Sequence, residues 1–585
     1  MEDYRTCMEK NDSYCKVDIR LLNNGNENNQ LWNLIKDSAN GRHNYDRSFV
    51  HRAICLPKNE TVNLESTRYF SQLHVEKEFN GTNLLALVEY VVCIEEDKVK
   101  LSLYDKLVIL TFTAYMCLIV YATIKDKQKK TGVTGCTKDK VITSLSLTSN
   151  WRKICKTEGN EDYTKLKAIQ GVRVFIMLNV IGSHIVFCFM ITYISNTNDV
   201  EDMFNGAIMQ YSSTLTTFVM QTFFLISSWI VTFQIYNIYR DHGKFTVKQA
   251  FILIINRFFR IGICLSVALH LSKPSLNRLS AVGPLTFDNI YKIQESCEHN
   301  WWQTFCFVNN YLYIADMCLP PSWYLSADYQ LYIMAVITIY LILKFELCEW
   351  KVICFLILFS CMLYGSVIYV NEMDIIARIN INTLRRFIFT RSDPIRILYN
   401  STYSNWTTSL VGILLGMIYT KNKNRNVTNS KFICVLWLLI FFGLPSAVIF
   451  IADYEFRGIQ AAILGALVKP LFSLSVGIGI LGMSHNIGGV IKRICENKYV
   501  VLMSNLSFSA YVFQFVVLFP KGVGTYSLME FGQIKLIKYI LFIDGPLSII
   551  IALIFALIIE QPGINLQKIF LPQISRERKG QQKSQ

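Results

Sequence analysis

Residues 171–184 read GVRVFIMLNVIGSH, an apolar run of helix length with an arginine near one end and a histidine at the other. Arg173 and His184 stand 11 residues apart. At about 100° and 1.5 Å per residue, an α-helix brings both side chains to nearly one face, roughly 16 Å apart along the axis. A helix that enters a hydrocarbon core about 30 Å thick at Arg173 therefore holds the imidazole about halfway in. Ionisable groups at that depth are costly and mark functional sites. This stretch implies chemistry inside a bilayer on a molecule anchored at its edge.

The rest of the chain agrees with a membrane setting. Of its 585 residues 52% are hydrophobic and only 17% charged, below the roughly 25% of soluble domains, and the mean hydropathy is +0.30. Eleven apolar runs are long enough to read as spans: 107–124, 171–194, 213–235, 250–271, 323–343, 351–370, 407–420, 432–452, 458–483, 499–520 and 536–559, the seventh being the shortest. The expected fold class is all-α, a polytopic membrane protein of about 11 transmembrane helices behind a small cysteine-bearing N-terminal outer domain. Four segments follow: 1–103 outside, 104–165 with the first span and a basic linker, 166–562 as the transmembrane body, and a basic tail, 563–585.

The formal charge of +15 is read as topology, not as a nucleic-acid surface, because basic residues concentrate in short loops and the tail. Residues 125–167 hold eleven Lys and Arg against five acids, whereas the next loop carries Asp199, Glu201 and Asp202. This places residues 1–106 outside or lumenal and the C-terminus in the cytosol, in the plasma membrane or an endomembrane. Sequons at Asn11, Asn59, Asn80, Asn400 and Asn405 fall in expected outer segments. The five arginines Arg378, Arg385, Arg386, Arg391 and Arg396 run against that reading of 371–406, which long loops tolerate.

Of 17 cysteines, Cys7, Cys15, Cys55 and Cys93 lie in the outer region, where three disulfide pairings are open, and Cys297 with Cys318 makes a further candidate. No His/Cys spacing of a metal site occurs, so no metal is expected. Within the outer region NNQLWNLIKDS and GTNLLALVEYVVC read as helix-like. Lys469 is a mid-span charge that implies a partner or a lined cavity, and Pro470 after it is expected to break the helix locally.

A neutral imidazole buried in a span is suited to deprotonate a hydroxyl, which makes His184 the candidate general base. Arg257 and Arg260, about 60° apart on one helix, open the fourth span on the same side as Arg173. Three converging guanidiniums suit phosphates. A ligand with phosphates there and a thin arm reaching His184 has the shape of acyl-coenzyme A. Asp328, placed about two turns inside the outer surface, is expected to orient His184, with Ser322 and Gln330 as lesser polar candidates. Trp301, Trp302 and Trp323 read as interfacial belt residues.

The order of these motifs resembles the type 3 integral-membrane acyltransferases, in particular their nose-resistant-to-fluoxetine branch. The resemblance rests on GVRVFIMLNVIGSH, TFFLISSW, RFFR, the Cys and Trp-Trp segment leading to SWYLSADYQ, SLVGILLGMIY and LSFSAYVFQF, and on YRTC, DSYC and AICLP in the outer region. It implies that His184 is the catalytic histidine and that Arg173, Arg257 and Arg260 engage acyl-coenzyme A as donor. The implied acceptor is a small, hydroxyl-bearing, lipid-like molecule or membrane lipid. Lipid or drug uptake without catalysis is the alternative. Four features depart from the branch: Gln221 stands for an acidic residue, Ser228 for a glycine and Gln514 for a histidine, and the second cysteine usual after the CLP motif is absent. The outer region resembles only the C-terminal part of the branch's extracellular domain, so the chain is expected to lack a signal peptide and part of that domain.

Overall fold

A computed structural model describes residues 4–25, 29–41, 43–61, 63–94, 102–128, 137–159, 161–272, 287–312, 317–378, 381, 392–425, 430–523 and 528–574. The N-terminal unit is built on three antiparallel strands, β1 (Ser13–Asn23), β2 (Phe49–Leu56) and β3 (Leu84–Ile94), in the order β2-β1-β3. Cys15, Val17, Ile19 and Leu21 alternate along β1 and are all buried, the period of two expected of a sheet covered on one face. The helices Gln30–Ser38 and Leu64–Phe79 complete the unit. The stretch ending in LLALVEYVVC is thus strand, not helix: its Val and Tyr residues suit a pleated surface, and β1 supplies the ladder partner. Cys7 pairs with Cys55 and Cys15 with Cys93, which selects one of the three pairings, and Cys297 pairs with Cys318.

This unit sits on the end of the His184 helix. Arg47 Nη2 pairs with Glu201 Oε2 at 2.9 Å, the Tyr45 amide donates to Glu201 Oε1 at 2.8 Å, and Lys16 lies 5.0 Å over the Tyr193 ring. Glu201 belongs to the short helix Thr197–Asn205, which follows the Ala168–Met190 helix.

Among the described residues nine helices are long and apolar enough to cross a membrane. The bent pair Lys498–Ser504 and Ser507–Phe519, kinked by 56°, is a broken span or a re-entrant loop, and brings the number to ten where it is counted as one span. The remaining expected span is a 21-residue helix, Thr402–Asn422, rich in Ser, Thr and Asn and buried among the others. It lies against Ala207–His242 so closely that a Cβ at Gly412 would meet the Leu225 carbonyl oxygen at 2.5 Å, and one at Gly416 the Thr232 Cβ at 2.9 Å. Small residues four apart allow that approach between membrane helices. Ser228, the departure from glycine, uses the proximity: its hydroxyl lies 2.7 Å from the Ser409 hydroxyl. Gly412→Leu is expected to separate the helices and cost about 1–3 kcal/mol or more, read as a lower midpoint in thermal unfolding. Ser409→Ala should cost about 1 kcal/mol.

Lys469 lies in the same seam. Its ammonium donates to the Leu398 carbonyl at 2.6 Å, the Ser404 carbonyl at 3.1 Å and Asn405 Oδ1 at 3.2 Å. Gln221 joins the network through Asn405 Oδ1 at 2.7 Å and Thr408 Oγ1 at 2.7 Å. The expected break at Pro470 is absent, since the Gly458–Ser484 helix runs through it.

Two sequons are corrected by burial. Asn400 is 1% and Asn405 0% exposed, so neither side chain is open to a glycan, and Asn405 Nδ2 donates to the Tyr399 and Ser401 carbonyls. The segment expected as an outer loop folds inward from Ile395, because its apolar side chains Ile395, Leu398 and Tyr399 join the core. Asn11, Asn59 and Asn80 are exposed. Arg378 donates to the Asp374 carboxylate and the Asp453 carbonyl, and Arg396 pairs with Asp393. Arg385, Arg386, Arg391 and the tail from 575 lie outside the described residues.

Candidate active site

The Ala168–Met190 helix carries Arg173 and His184 into two different cavities. It enters the body tightly: a Cβ at Gly171 would lie 2.4 Å from the Cys495 Cα, so only glycine lets the turn before Arg173 sit against the Gly489–Cys495 helix. Three turns later His184 borders a cavity of about 990 Å³ whose walls are largely apolar, among them Phe187, Phe204, Trp323 and Phe515. Phe175, Leu178, Ile208 and Ile537 line this cavity and are also exposed on the outer surface of the helix bundle. The cavity is therefore open to the surroundings past apolar side chains.

The second cavity, about 800 Å³, lies toward the basic face, opposite the N-terminal unit. Six basic side chains line it, Lys153, Lys156, Arg173, Arg257, Arg260 and Lys568, against the acids Glu158, Asp328 and Glu560. Arg257 Nη2 donates to Ser227 Oγ at 2.8 Å and forms an ion pair with Asp328, and its guanidinium lies 4.3 Å over the Tyr332 ring. Arg173 and Arg260 make no ion pair among the described residues. Lys153, outside the spans, has its pKa lowered, first by burial and then by Lys568. An anion in the cavity would relieve that repulsion.

Tyr511 lines both cavities. Its buried hydroxyl donates to the Pro321 carbonyl, and its ring centroid lies 5.2 Å from that of Tyr324. A cationic pocket and an apolar pocket thus share one aromatic side chain in their walls, and the apolar one is also lined by His184.

The family described as an acyltransferase domain matches residues 166–560, which contain both cavities. The chain belongs to the type 3 acyltransferase family. Proteins named "Putative O-acetyltransferase" in Staphylococcus aureus strains COL and MRSA252 are each 24% identical to it over 453 residues, covering 72% of this chain. The chain spans about 62% of the length of those curated relatives. No solved structure matches it.

Within this acyltransferase domain the structure brings Arg173, Arg257, Arg260 and Asp328 together around one cavity and places His184 in the other. The expectation that Asp328 orients His184 is corrected. The helix bearing Asp328 begins at Trp323, beside the His184 cavity, and each later residue moves toward the basic face. Asp328 is 4% exposed and neutralises Arg257, the arrangement a buried carboxylate needs. The residue that meets His184 is Gln514, whose Nε2 lies 3.0 Å from His184 Nδ1. Sequence reasoning marked Gln514 only as a departure from a family pattern.

Trp323 is likewise not an interfacial residue: it is 5% exposed, with its ring centroid 4.6 Å from that of Tyr399. Trp301 and Trp302 are exposed. Ser322 accepts from Asn309 Nδ2 at 2.7 Å, and Gln330 Nε2 donates to the Phe307 carbonyl at 2.7 Å. Both hold the segment before the Asp328 helix in place. Among the described residues no group of three or more His, Cys, Asp or Glu side chains is placed to hold a metal.

Proposed function

We propose that this protein is a membrane-embedded O-acyltransferase of the nose-resistant-to-fluoxetine branch, moving an acyl group from acyl-coenzyme A to the hydroxyl of a lipid-like acceptor. The observation that carries the reading is the placement of Arg173 and His184 on one helix, in two cavities that share Tyr511 in their walls. Arg173, Arg257 and Arg260 grip the donor's phosphates through charge-assisted hydrogen bonds. The basic face is then cytosolic and the disulfide-bonded unit outer or lumenal, in keeping with where disulfides persist. The thioester arm passes Tyr511 toward His184, and the acceptor enters through the apolar opening of the other cavity.

His184 removes the acceptor's hydroxyl proton as the oxygen attacks the thioester carbonyl. The carbon–sulfur bond then breaks, and the departing thiolate takes that proton back from the imidazolium. Ester and free coenzyme A thiol are the products, with no oxidant or further reactant needed. Membership of an acyltransferase family and relatives named as O-acetyltransferases support the chemistry.

Titration calorimetry of the purified protein with coenzyme A tests the donor assignment. Binding is expected, and Arg260→Ala should weaken it by about tenfold, the loss of one charge-assisted phosphate contact. Absence of coenzyme A binding to the intact protein removes the assignment. The open apolar cavity also favours a second reading, a carrier for lipids or small hydrophobic molecules. Such a carrier keeps moving its cargo when His184 is replaced.

A further inference from the structure

The hydrogen-bonded partner of His184 is a neutral carboxamide, and that choice has consequences for how the imidazole works. Gln514 is 0% exposed, on the Ser507–Val523 helix, with Nε2 3.0 Å from His184 Nδ1. It is the only hydrogen-bond partner of the ring among the described residues. Phe515, the next residue, stands edge-on to the imidazole with centroids 5.9 Å apart and planes at 74°, which fixes the ring's tilt. His184 also lines the apolar cavity. The carboxamide oxygen, Gln514 Oε1, is buried with no partner among the described residues.

A neutral imidazole carries one N–H, and the hydrogen bond made by one nitrogen decides whether the other is donor or acceptor. A half-turn of a carboxamide exchanges its donor and acceptor ends at little steric cost. With the oxygen turned to His184, Nδ1–H donates to Oε1 and Nε2 is left bare toward the cavity. The same bond also holds the imidazolium, which must donate from both nitrogens once it has taken the acceptor's proton. A carboxylate in this place would be a buried charge whenever the histidine is neutral; a carboxamide avoids that cost.

We infer that Gln514 is the positioning residue of His184: its carboxamide oxygen accepts Nδ1–H and leaves Nε2 free to act on the acceptor hydroxyl. The inference rests on the reading of His184 as base. It gives a function to a residue that stands out in the sequence only as a substitution, and it assigns to Gln514 the orienting role expected of Asp328.

The test uses the full-length protein in phosphatidylcholine vesicles doped with a sterol, with acetyl-coenzyme A as donor and release of the coenzyme A thiol as readout. Gln514→Met keeps the side-chain length and removes the hydrogen bond. It should lower kcat by about 10- to 100-fold, a part of the roughly 10²–10⁴-fold that a general base supplies, with the donor KM unchanged. Gln514→Glu keeps an acceptor oxygen and should restore most of the loss. In a His184→Ala background Gln514→Met should be silent, because its effect passes through the imidazole. Wild-type kcat in Gln514→Met, or a Gln514→Glu variant as slow as Gln514→Met, overturns the inference.

A measurement on the unmutated fold serves if these variants do not fold. The nitrogen-15 signals of His184, identified by difference from His184→Gln, should show the proton on Nδ1; a neutral ring protonated on Nε2 overturns the inference. Full activity of His184→Ala overturns the base reading itself. An inactive His184→Ala beside a normal Gln514→Met overturns only the role of Gln514.

Discussion

Replacing His184 with alanine is expected to lower acyl transfer by about 10²–10⁴-fold while leaving coenzyme A binding intact. In the proposed reaction the donor's phosphates bind in the other cavity, about 16 Å along the same helix, so removing the imidazole does not touch them. Folding should suffer little. The ring's one described hydrogen bond is to Gln514, and leaving that carboxamide unpaired costs about 1–3 kcal/mol at most. The decisive comparison sets thiol release against coenzyme A affinity in the same preparation. Loss of both together would mean a general collapse of the site, and loss of neither would mean that the histidine is a packing residue. Only the split between them fits a base.

The second large effect is expected at Arg257. Its guanidinium neutralises a carboxylate that is 4% exposed, so Arg257→Ala leaves Asp328 as a buried charge without its partner. Such a change costs about 3–5 kcal/mol, far more than the loss of an exposed pair. Thermal unfolding should therefore show a marked fall for Arg257→Ala, and a similar one for Asp328→Ala. Replacing both together, Arg257→Met with Asp328→Leu, should recover most of that stability, because two apolar side chains can occupy the same space without either charge. Donor binding should not recover, since the guanidinium is gone. Recovery of coenzyme A binding in the double variant would show that Arg257 serves folding alone and would leave Arg173 and Arg260 as the phosphate-binding pair.

The contrast between Arg257 and Arg260 shows how far sequence reading reaches. RFFR on one helix makes the two arginines neighbours by covalent geometry alone, and both line one cavity. Their environments then differ for a reason outside that helix. Arg257 faces Asp328, 71 residues away, and the Tyr332 ring, whereas Arg260 lies exposed with no ion pair among the described residues. A charge placed by helical period is legible from sequence; the charge opposite it is not.

The misread elements have the same cause. GTNLLALVEYVVC has apolar residues spaced well enough for either a helix face or a strand, and the ladder with β1 decides for a strand. Asn400 and Asn405 stand in glycosylation sequons, but the chain around them turns into the bundle, where Asn405 Oδ1 receives Lys469. That contact also supplies what Lys469 requires, a set of oxygens from a segment 64 to 71 residues earlier. Sequence could state the need for a partner, because a buried ammonium always has one. It could not name the partner.

By itself the sequence determined the membrane setting, most of the spans and the spacing of Arg173 and His184, because hydrophobic run length and helical rise are local properties of consecutive residues. Only the tertiary structure decided that the two residues line separate cavities that share Tyr511 in their walls, that Asp328 belongs to Arg257, and that Gln514, 330 residues along the chain, belongs to His184. Those pairings depend on which faces of which helices meet, and that is set by packing over the whole bundle, down to the bare Gly412 and Gly416 that let two helices touch.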